Sequence, residues 1–375
     1  FVCVNAAQAS TLRNNARASS DAIDVDGIAQ AIIQQRGRRM FDFDGVYAPL
    51  KSAARSRRKL RRDETAWRNR IHRSVEILFP GFLSKATTGI VPFSRSSLSF
   101  MADGFSAVRI KRMRMNTLVK RLRKGGTQKP EEAALKVKAL AEGTLPPPAE
   151  IVPYESASLA AKVRMLRSVR ECCAMQENEM ARFLVQTPGF FLTSIPGIGV
   201  PLAGHITAEY GPPGSWLPVD HMASYAGIVP RQNQTGGKAK APVIGHLPVD
   251  ANRIAKDYLL QAAYHVGTTG KHRLQQYYQR AEAEERHSRL ATAKLLLRIA
   301  RQMVRTEMIY LPEEILHPGA PLPRGTVLAY YRDVTDALER KWKDYDLTGI
   351  PYSENYLIKW KEQIEQITAF TADNQ

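Results

Sequence analysis

Cysteine is scarce in this chain of 375 residues, which contains only Cys3, Cys172 and Cys173. Three cysteines cannot build a disulfide framework, and the adjacent pair Cys172 and Cys173 lacks the spacing of a C-x-x-C metal motif. Acidic residues are also in deficit, because 36 Asp and Glu stand against 54 Lys and Arg, which gives a formal net charge of +18. These deficits exclude disulfide-stapled domains and disordered acidic chains.

Long apolar runs and internal repeats are absent as well. The best candidate for a membrane span, the uncharged stretch at residues 187–204, contains Pro188, Pro196 and Pro201 together with four glycines. Such a stretch breaks helices and could not satisfy its own backbone in lipid, so we predict no transmembrane segment. The chain begins Phe-Val-Cys-Val, which is typical of a buried strand and not of a signal peptide. We therefore expect it to lack the N-terminus of a longer protein.

Hydrophobic periodicity predicts a mainly helical chain after a short strand at residues 1–4 and a helix at 22–35. Residues 50–78 form one long predicted helix, and further helical patterns lie at 107–122, 157–183, 201–209, 249–266 and 283–310. The tail, from residue 334 onward, contains one or two weaker helices around Pro351. Long helices with short connections suggest an antiparallel helical arm or coiled coil, and a plain helical bundle fits the same pattern.

Positive charge is concentrated on two of the predicted helices. Ten cationic residues fall between Lys51 and Arg73, against only Asp63 and Glu64, and a second basic run follows at residues 109–123. Phosphate binding explains this imbalance better than a solvated charged face does. The expected partner is therefore a polyanion, either nucleic acid or an anionic membrane surface.

Asp21 and Asp24 stand three residues apart at a predicted helix start, so both carboxylates lie on one face. Two such carboxylates can share a divalent cation such as Mg²⁺. A two-metal site for phosphoryl transfer usually needs about four carboxylates. Capping of the helix N-terminus explains the same two residues, and on this motif alone it is the favoured interpretation.

Residues 195–199, Ile-Pro-Gly-Ile-Gly, precede a helical pattern and predict the hairpin of a helix–hairpin–helix element. Gly197 and Gly199 would let backbone N–H groups approach a DNA phosphate, and the following helix would add its dipole. The alternative is a tight turn between two packed helices. The positive charge of the chain favours phosphate contact.

A polar loop at residues 232–240 places Thr235 at a glycine turn beside Lys238 and Lys240. Lysines would stabilise a bound phosphate, and a hydroxyl there could attack phosphorus if a base or metal activates it. A solvated surface loop is the alternative, and it is favoured without further evidence. The scattered histidines of the C-terminal half lack H-E-x-x-H spacing, which favours structural roles.

Taken in order, these blocks resemble the DEDD-type insertion-sequence transposases (the IS-one-ten group) and the related Piv and MooV DNA invertases. The resemblance rests on Ser-Asp-Ala-Ile-Asp at 20–24, on the arginine-rich helix ending Leu-Phe-Pro-Gly at 78–81, and on the blocks at 195–199, 224–231 and 234–237. Asn-Arg at 252–253 is similar to a further stretch of the family, although the usual glycine before it is missing. The similarity extends over roughly residues 1–310.

The resemblance implies an α/β remnant of a RuvC-like, RNase H-like domain at residues 1–45, followed by mainly helical structure. A basic helical or coiled-coil region would occupy residues 46–185. A helical C-terminal transposase domain with a helix–hairpin–helix-like element would occupy 186–320, and a helical tail 321–375.

The resemblance also implies DNA strand exchange by a hydroxyl nucleophile next to a metal-binding acidic quartet. Asp21 and Asp24 match its last two acids, and the first two would lie before residue 1. Mg²⁺ or Mn²⁺ is therefore expected only if the acidic site is complete. Thr235 stands where the family usually has serine, and its β-branch would crowd an attack on phosphorus.

The implied partners are DNA, an element-encoded structured RNA in some members, and further copies of the chain in a dimer or tetramer. No membrane partner is expected, and the implied location is cytoplasmic and nucleoid-associated. The residues predicted to contact nucleic acid are Gly197, Gly199, Arg57, Arg58, Arg61, Arg62, Lys238 and Lys240.

Two other functions stay open at this point. A truncated, catalytically inactive remnant that only binds nucleic acid would fit the incomplete acidic site and Thr235. A basic peripheral membrane or ribosome-associated protein would explain the charge, but it would not explain the hairpin or the Gln-Thr-Gly-Gly loop.

Overall fold

The computed structural model describes residues 21–34, 45–229, 251–269, 273–284, 287–312 and 324–372, with short pieces at 2–3, 9, 12, 38–39, 232–233 and 243–244. Helices dominate these residues, which confirms the predicted mainly helical fold. The strands among them are two short antiparallel pairs, β1 (Val2–Cys3) with β2 (Arg38–Arg39) and β3 (Gln232–Asn233) with β4 (Val243–Ile244). The α/β remnant of a RuvC-like domain stays a prediction.

The predicted helices at residues 50–78, 157–183, 201–209, 249–266 and 283–310 are largely confirmed within the described residues, and further helices lie where none was predicted. In chain order they are α1 (Asp21–Ile33), α2 (Tyr47–Leu78), α3 (Lys85–Thr88), α4 (Arg95–Met101), α5 (Ala107–Arg112), α6 (Met115–Lys124), α7 (Pro130–Gly143), α8 (Ile151–Leu184), α9 (Val200–Tyr210), α10 (Val219–Ala226), α11 (Arg253–Thr268), α12 (Arg273–Ala283), α13 (Ser288–Thr306), α14 (Arg324–Trp342) and α15 (Tyr356–Ala372). Short 3-10 turns lie at Pro188–Ser194, Pro213–Ser215 and Tyr352–Glu354. Within the described part of the chain, no helix is long and apolar enough to cross a membrane.

The chain divides into two compact units. The middle unit is Ser56–Gln176, and the terminal unit combines Phe1–Arg55 with Glu177–Gln375. Helices α2 and α8 each begin in one unit and end in the other. The predicted division into four segments stays a prediction.

The middle unit is built around one buried face on each of the two long helices. Ile71, Val75 and Leu78 of α2 share a core with apolar residues of α8 at 159, 163 and 166. The intervals of four and three residues place these side chains on one face of each helix. Arg170 of α8 donates to Glu64 at 3.0 Å and Lys162 donates to Ser74 at 2.6 Å, so the two helices run antiparallel.

Aromatic side chains from the shorter helices complete this core. The rings of Phe79, Phe82, Phe100 and Phe105 lie 4.8–6.2 Å apart between centroids. All four residues are at most 4% exposed. Large buried rings contribute much apolar area, which allows the unit to hold its own core. Residues 56–176 therefore form a helical bundle that includes α3 to α7, and not only two long helices.

The predicted basic helix at 107–122 is two helices in the structure, so its continuity is corrected. Met113 and Arg114 have extended backbones that separate α5 from α6. The ammonium group of Lys138 donates to the carbonyl oxygens of Lys111 at 2.6 Å and Met113 at 2.8 Å. These bonds satisfy carbonyl groups that the broken helix leaves without intrahelical partners.

The terminal unit packs its helices around one apolar core. Helix α11 contacts α9, α12 and α13, and its buried side chains join those of the 3-10 turn at Pro188–Ser194. The tail helices also belong to this core, because Leu338 and Trp342 of α14 and Trp360 of α15 are buried in it. The tail is thus an integral part of the terminal unit.

Candidate nucleic-acid interface

The predicted hairpin at residues 195–199 joins the 3-10 turn Pro188–Ser194 to α9. Gly197 has φ +84°, and a Cβ built on it would lie 2.9 Å from both the carbonyl carbon and the carbonyl oxygen of His265 in α11. Only glycine combines this backbone with such close approach to another helix. The lack of a side chain at Gly197 therefore allows the hairpin to pack against α11.

Gly199 differs from Gly197 in its backbone conformation and in the space around it. Its backbone is extended, with φ −100° and ψ 177°, and it caps α9 without a side-chain hydrogen bond. A Cβ at Gly199 would meet only Cδ of Pro201, at 3.7 Å. The approach to the backbone is therefore more open at Gly199 than at Gly197. Phosphate contact by either glycine stays a prediction, and so does the assignment of a helix–hairpin–helix element.

The carbonyl groups of the hairpin are held by the tail. Lys341 of α14 donates to the carbonyl oxygens of Thr193, of Ile195 at 3.1 Å and of Ile198 at 2.8 Å. The indole N–H of Trp342 donates to the Thr193 hydroxyl at 3.0 Å. Burial lowers the pKa of Lys341 to about 8. The sequence alone did not show this support, because Lys-Trp-Lys in a helical pattern is indistinguishable from an ordinary amphipathic turn.

The loop that contains Thr235 emerges from a well-defined base. The N–H of Asn252 donates to the carbonyl oxygen of Tyr225 at 2.8 Å. The side-chain amide of Asn252 also donates to the Tyr225 hydroxyl at 2.6 Å. Its oxygen accepts from two backbone N–H groups at the start of α11, as an N-cap does. Both ends of the segment are thereby joined, while Thr235, Lys238 and Lys240 lie outside the described residues.

A buried carboxylate adjoins this base. Glu209 of α9 accepts from Nε and Nη2 of Arg55, at 3.0 and 3.1 Å, and from the amide of Asn252 at 2.8 Å. The hydrogen bond to Glu209 raises the pKa of Arg55, whereas burial lowers the pKa of Lys51 one helical turn earlier. Burial also raises the pKa of Tyr210. Spacing along the chain gave no signal for this cluster, because its members are up to 197 positions apart, from Arg55 to Asn252.

The predicted acidic pair occupies the first turn of α1. Asp21 is exposed and Asp24 is partly buried. Within the described residues, no three His, Cys, Asp or Glu side chains lie close enough together to hold a metal ion. Two carboxylates supply too few oxygen ligands for Mg²⁺, so these residues alone do not fit the ion. Binding of Mg²⁺ or Mn²⁺ at Asp21 and Asp24 stays a prediction.

The predicted arginines of α2 have different environments within the middle unit. Arg57 is only 6% exposed, which weighs against direct phosphate contact by its side chain. Arg58 is partly buried, whereas Arg62 is exposed. Arg61 forms an ion pair with Glu64 at 2.6 Å. Nucleic-acid contact by all four arginines stays a prediction, and the exposed position of Arg62 suits it best.

Glu64 shows how the middle unit balances part of its positive charge. Its side chain is 7% exposed and accepts hydrogen bonds from both Arg61 and Arg170. Burial alone would raise the pKa of Glu64, but the two arginines outweigh burial and lower it. A carboxylate between two arginines is stabilised in its charged form. This ion-pair network therefore has a structural role.

The segment that contains the hairpin and the base of the loop matches a known class of protein. Residues 191–279 match the family described as the Transposase IS116/IS110/IS902 family. This match confirms the predicted resemblance to insertion-sequence transposases of this group, and it covers Gly197, Gly199, Glu209, Tyr225 and Asn252.

A relative from Streptomyces coelicolor extends the similarity. It is named "Insertion element IS110 uncharacterized 43.6 kDa protein" and is 27% identical over 172 residues. The match covers 46% of this chain and 40% of the relative. The chain thus spans less than half the length of that protein. Together the two comparisons support a transposase of the IS110 group.

Proposed function

We propose that this chain binds DNA as a transposase of an insertion sequence and takes part in the exchange of DNA strands. The observation that carries the proposal is the transposase family match at residues 191–279. The net charge of +18 supports a phosphate-rich partner. The exposed arginines of α2 and α6 would follow the phosphate backbone, a contact that depends on charge and not on base sequence.

Salt dependence tests the binding step. Affinity for duplex DNA is expected to fall about 10³-fold between about 50 and 200 mM KCl if the chain neutralises roughly six phosphates. Fluorescence anisotropy with a labelled duplex measures this slope, and a structured RNA in a parallel titration tests the proposed RNA partner. Weak binding that does not change with salt would contradict the proposal and favour a partner other than nucleic acid.

The chemical step is assigned to the hydroxyl of Thr235, in line with the resemblance. A hydroxyl that attacks phosphorus loses its proton and forms a covalent Thr–phosphate bond, while the bond from phosphorus to the 3′ or 5′ oxygen of the DNA breaks and that oxygen takes up a proton. The β-branch of threonine restricts its χ1 angle, so we expect Thr235→Ser to speed strand cleavage and Thr235→Ala to abolish it. Gel analysis of end-labelled DNA checks both variants, and undiminished cleavage by the alanine variant would remove Thr235 from the chemistry.

The alternative is a protein that binds nucleic acid and does not cut it. Threonine in place of the usual serine favours this alternative, and so does the lack of a third metal-binding carboxylate beside Asp21 and Asp24 within the described residues. Salt-dependent DNA binding without cleavage by either the parent chain or Thr235→Ser would support it. Mg²⁺, an element-encoded RNA and a homo-oligomer remain parts of the proposal that calorimetry, RNA titration and light scattering can test separately.

A further inference from the structure

We propose that Arg55 is a DNA phosphate contact and that Glu209 is the positioning residue that aims its guanidinium, beside the base of the loop that contains Thr235. This inference rests on the proposed function, because it assigns a phosphate subsite to the same strand-exchange protein. Arg55 lies on α2, outside the segment that matches the transposase family.

The first support is the geometry of the ion pair. The side chain of Glu209 is 1% exposed, whereas that of Arg55 is 47% exposed. A buried carboxylate requires hydrogen-bond partners, and two parallel N–H···O bonds fix the plane of a guanidinium. Glu209 therefore holds one edge of Arg55 in a single orientation while nearly half of the side chain faces solvent.

The second support is the link from Glu209 to the loop. Asn252 donates one amide hydrogen to Glu209 and the other to the hydroxyl of Tyr225. Its backbone N–H joins the carbonyl of Tyr225, so that the two ends of segment 226–251 meet at this residue. Hydrogen bonds thus connect Arg55 through Glu209 and Asn252 to Tyr225, at the two ends of the segment that contains Thr235.

The third support is the local charge. Lys51 lies one turn before Arg55, and burial lowers the pKa of Lys51, whereas the nearby charge of Glu209 acts to raise it. The side chains of Lys51 and Arg55 are both cationic, and that of Arg55 is 47% exposed beside the buried carboxylate of Glu209. A DNA phosphate is the ligand that matches a positive, oriented guanidinium at this location. A purely structural ion pair that fastens α2 to α9 is the competing interpretation.

A comparison of matched arginine variants separates these interpretations. We expect Arg55→Gln to weaken duplex DNA binding about tenfold and to reduce the salt slope by about one. Arg332→Gln, an exposed arginine of α14 in the same unit, removes the same charge and is expected to change the affinity less than about twofold. Anisotropy with a labelled duplex in a KCl series measures both, and circular dichroism monitors the fold.

Two further variants test positioning apart from charge. Arg55→Lys keeps the charge but cannot form two parallel bonds to Glu209, so we expect an unchanged salt slope with about threefold weaker binding. Glu209→Gln raises the net charge by one, and electrostatics alone would tighten DNA binding. If Glu209 orients Arg55, this variant binds DNA more weakly than the parent. Because glutamine has nearly the same shape as glutamate, Glu209→Gln can still test the proposal if Arg55→Gln fails to fold.

Each outcome is informative. A parent chain without salt-dependent DNA binding would overturn the proposed function itself. A parent chain that binds DNA while Arg55→Gln matches Arg332→Gln would overturn only the subsite, as would tighter binding by Glu209→Gln. If Arg55→Gln loses affinity for a structured RNA but not for duplex DNA, the assignment of the ligand as DNA is overturned.

Discussion

Alanine at position 197 is expected to lower the free energy of unfolding of the terminal unit by about 2–5 kcal/mol. A left-handed backbone costs an L-residue roughly 1–2 kcal/mol, and overpacking adds about 1–3 kcal/mol. At Gly197, with φ +84°, the added methyl group would press against the backbone of His265 at 2.9 Å. The backbone of a packed helix cannot move as a flexible side chain can, so α11 or the hairpin must shift.

Gly199→Ala is the matched control, because the two glycines stand two positions apart in the same motif. Its backbone suits any residue, and its methyl group would meet only Pro201. Loss of a glycine N-cap is expected to cost less than about 1 kcal/mol. Urea denaturation followed by circular dichroism measures both variants. Equal stability of the two would show that Gly197 is not confined by α11.

The same pair also tests phosphate contact at the hairpin. If DNA approaches the backbone near Gly199, the methyl group of the folded Gly199→Ala variant should weaken duplex binding severalfold, by blocking close approach of a phosphate. Unchanged affinity in this folded variant would leave the hairpin with a packing role only.

Trp342→Ala is the second change with a large expected effect, a loss of about 3–5 kcal/mol in the free energy of unfolding. Trp342 is 1% exposed and lies 5.4 Å from the ring of Phe190 between centroids. Its truncation removes buried apolar area and the hydrogen bond to Thr193. Because the neighbouring Lys341 binds three carbonyl groups around the hairpin, the loss should also loosen the hairpin.

Two variants calibrate this result. Trp342→Phe keeps a ring but loses the indole N–H, so we expect a smaller loss of about 1–2 kcal/mol. Tyr352→Ala truncates a residue of the same tail that is 51% exposed, and it should change stability by less than about 0.5 kcal/mol. Urea midpoints measure all three. A midpoint for Trp342→Ala close to that of Tyr352→Ala would contradict a structural role for the tail.

Periodicity predicted the long helices well. The apolar spacing along residues 50–78 placed α2 (Tyr47–Leu78) almost to the residue, because side chains such as Ile71, Val75 and Leu78 recur on one buried face of the helix. The break between α5 and α6 was not predictable in this way. The carbonyl group of Met113 at this break accepts a hydrogen bond from Lys138, which lies 25 positions further along the chain. A pattern confined to one helix does not contain that information.

The candidate site was predictable in part. The Ile-Pro-Gly-Ile-Gly motif located a turn at the start of α9, and the family match confirmed the class of protein. The motif could not show that Gly197 faces α11, or that Lys341 and Trp342 support the turn, because these contacts join segments that are far apart in sequence. The pairing of Glu209 with Arg55 was missed for the same reason: Arg55 belongs to the predicted basic helix, but Glu209 lies 154 positions away and belongs to no local motif.

The discontinuous terminal unit sets an order for folding during synthesis. Leu50, Ala53 and Ala54 belong to its core, yet most of their partners lie after residue 177. The ribosome completes all of Ser56–Gln176 before those partners are made, and contacts distant in sequence form slowly. The middle unit can therefore fold while Leu50, Ala53 and Ala54, which belong to the core of the terminal unit, are still exposed. Leu50 therefore stays exposed to solvent until core residues after position 177 are translated, and we expect the nascent chain to be most vulnerable to proteases and aggregation before that stage.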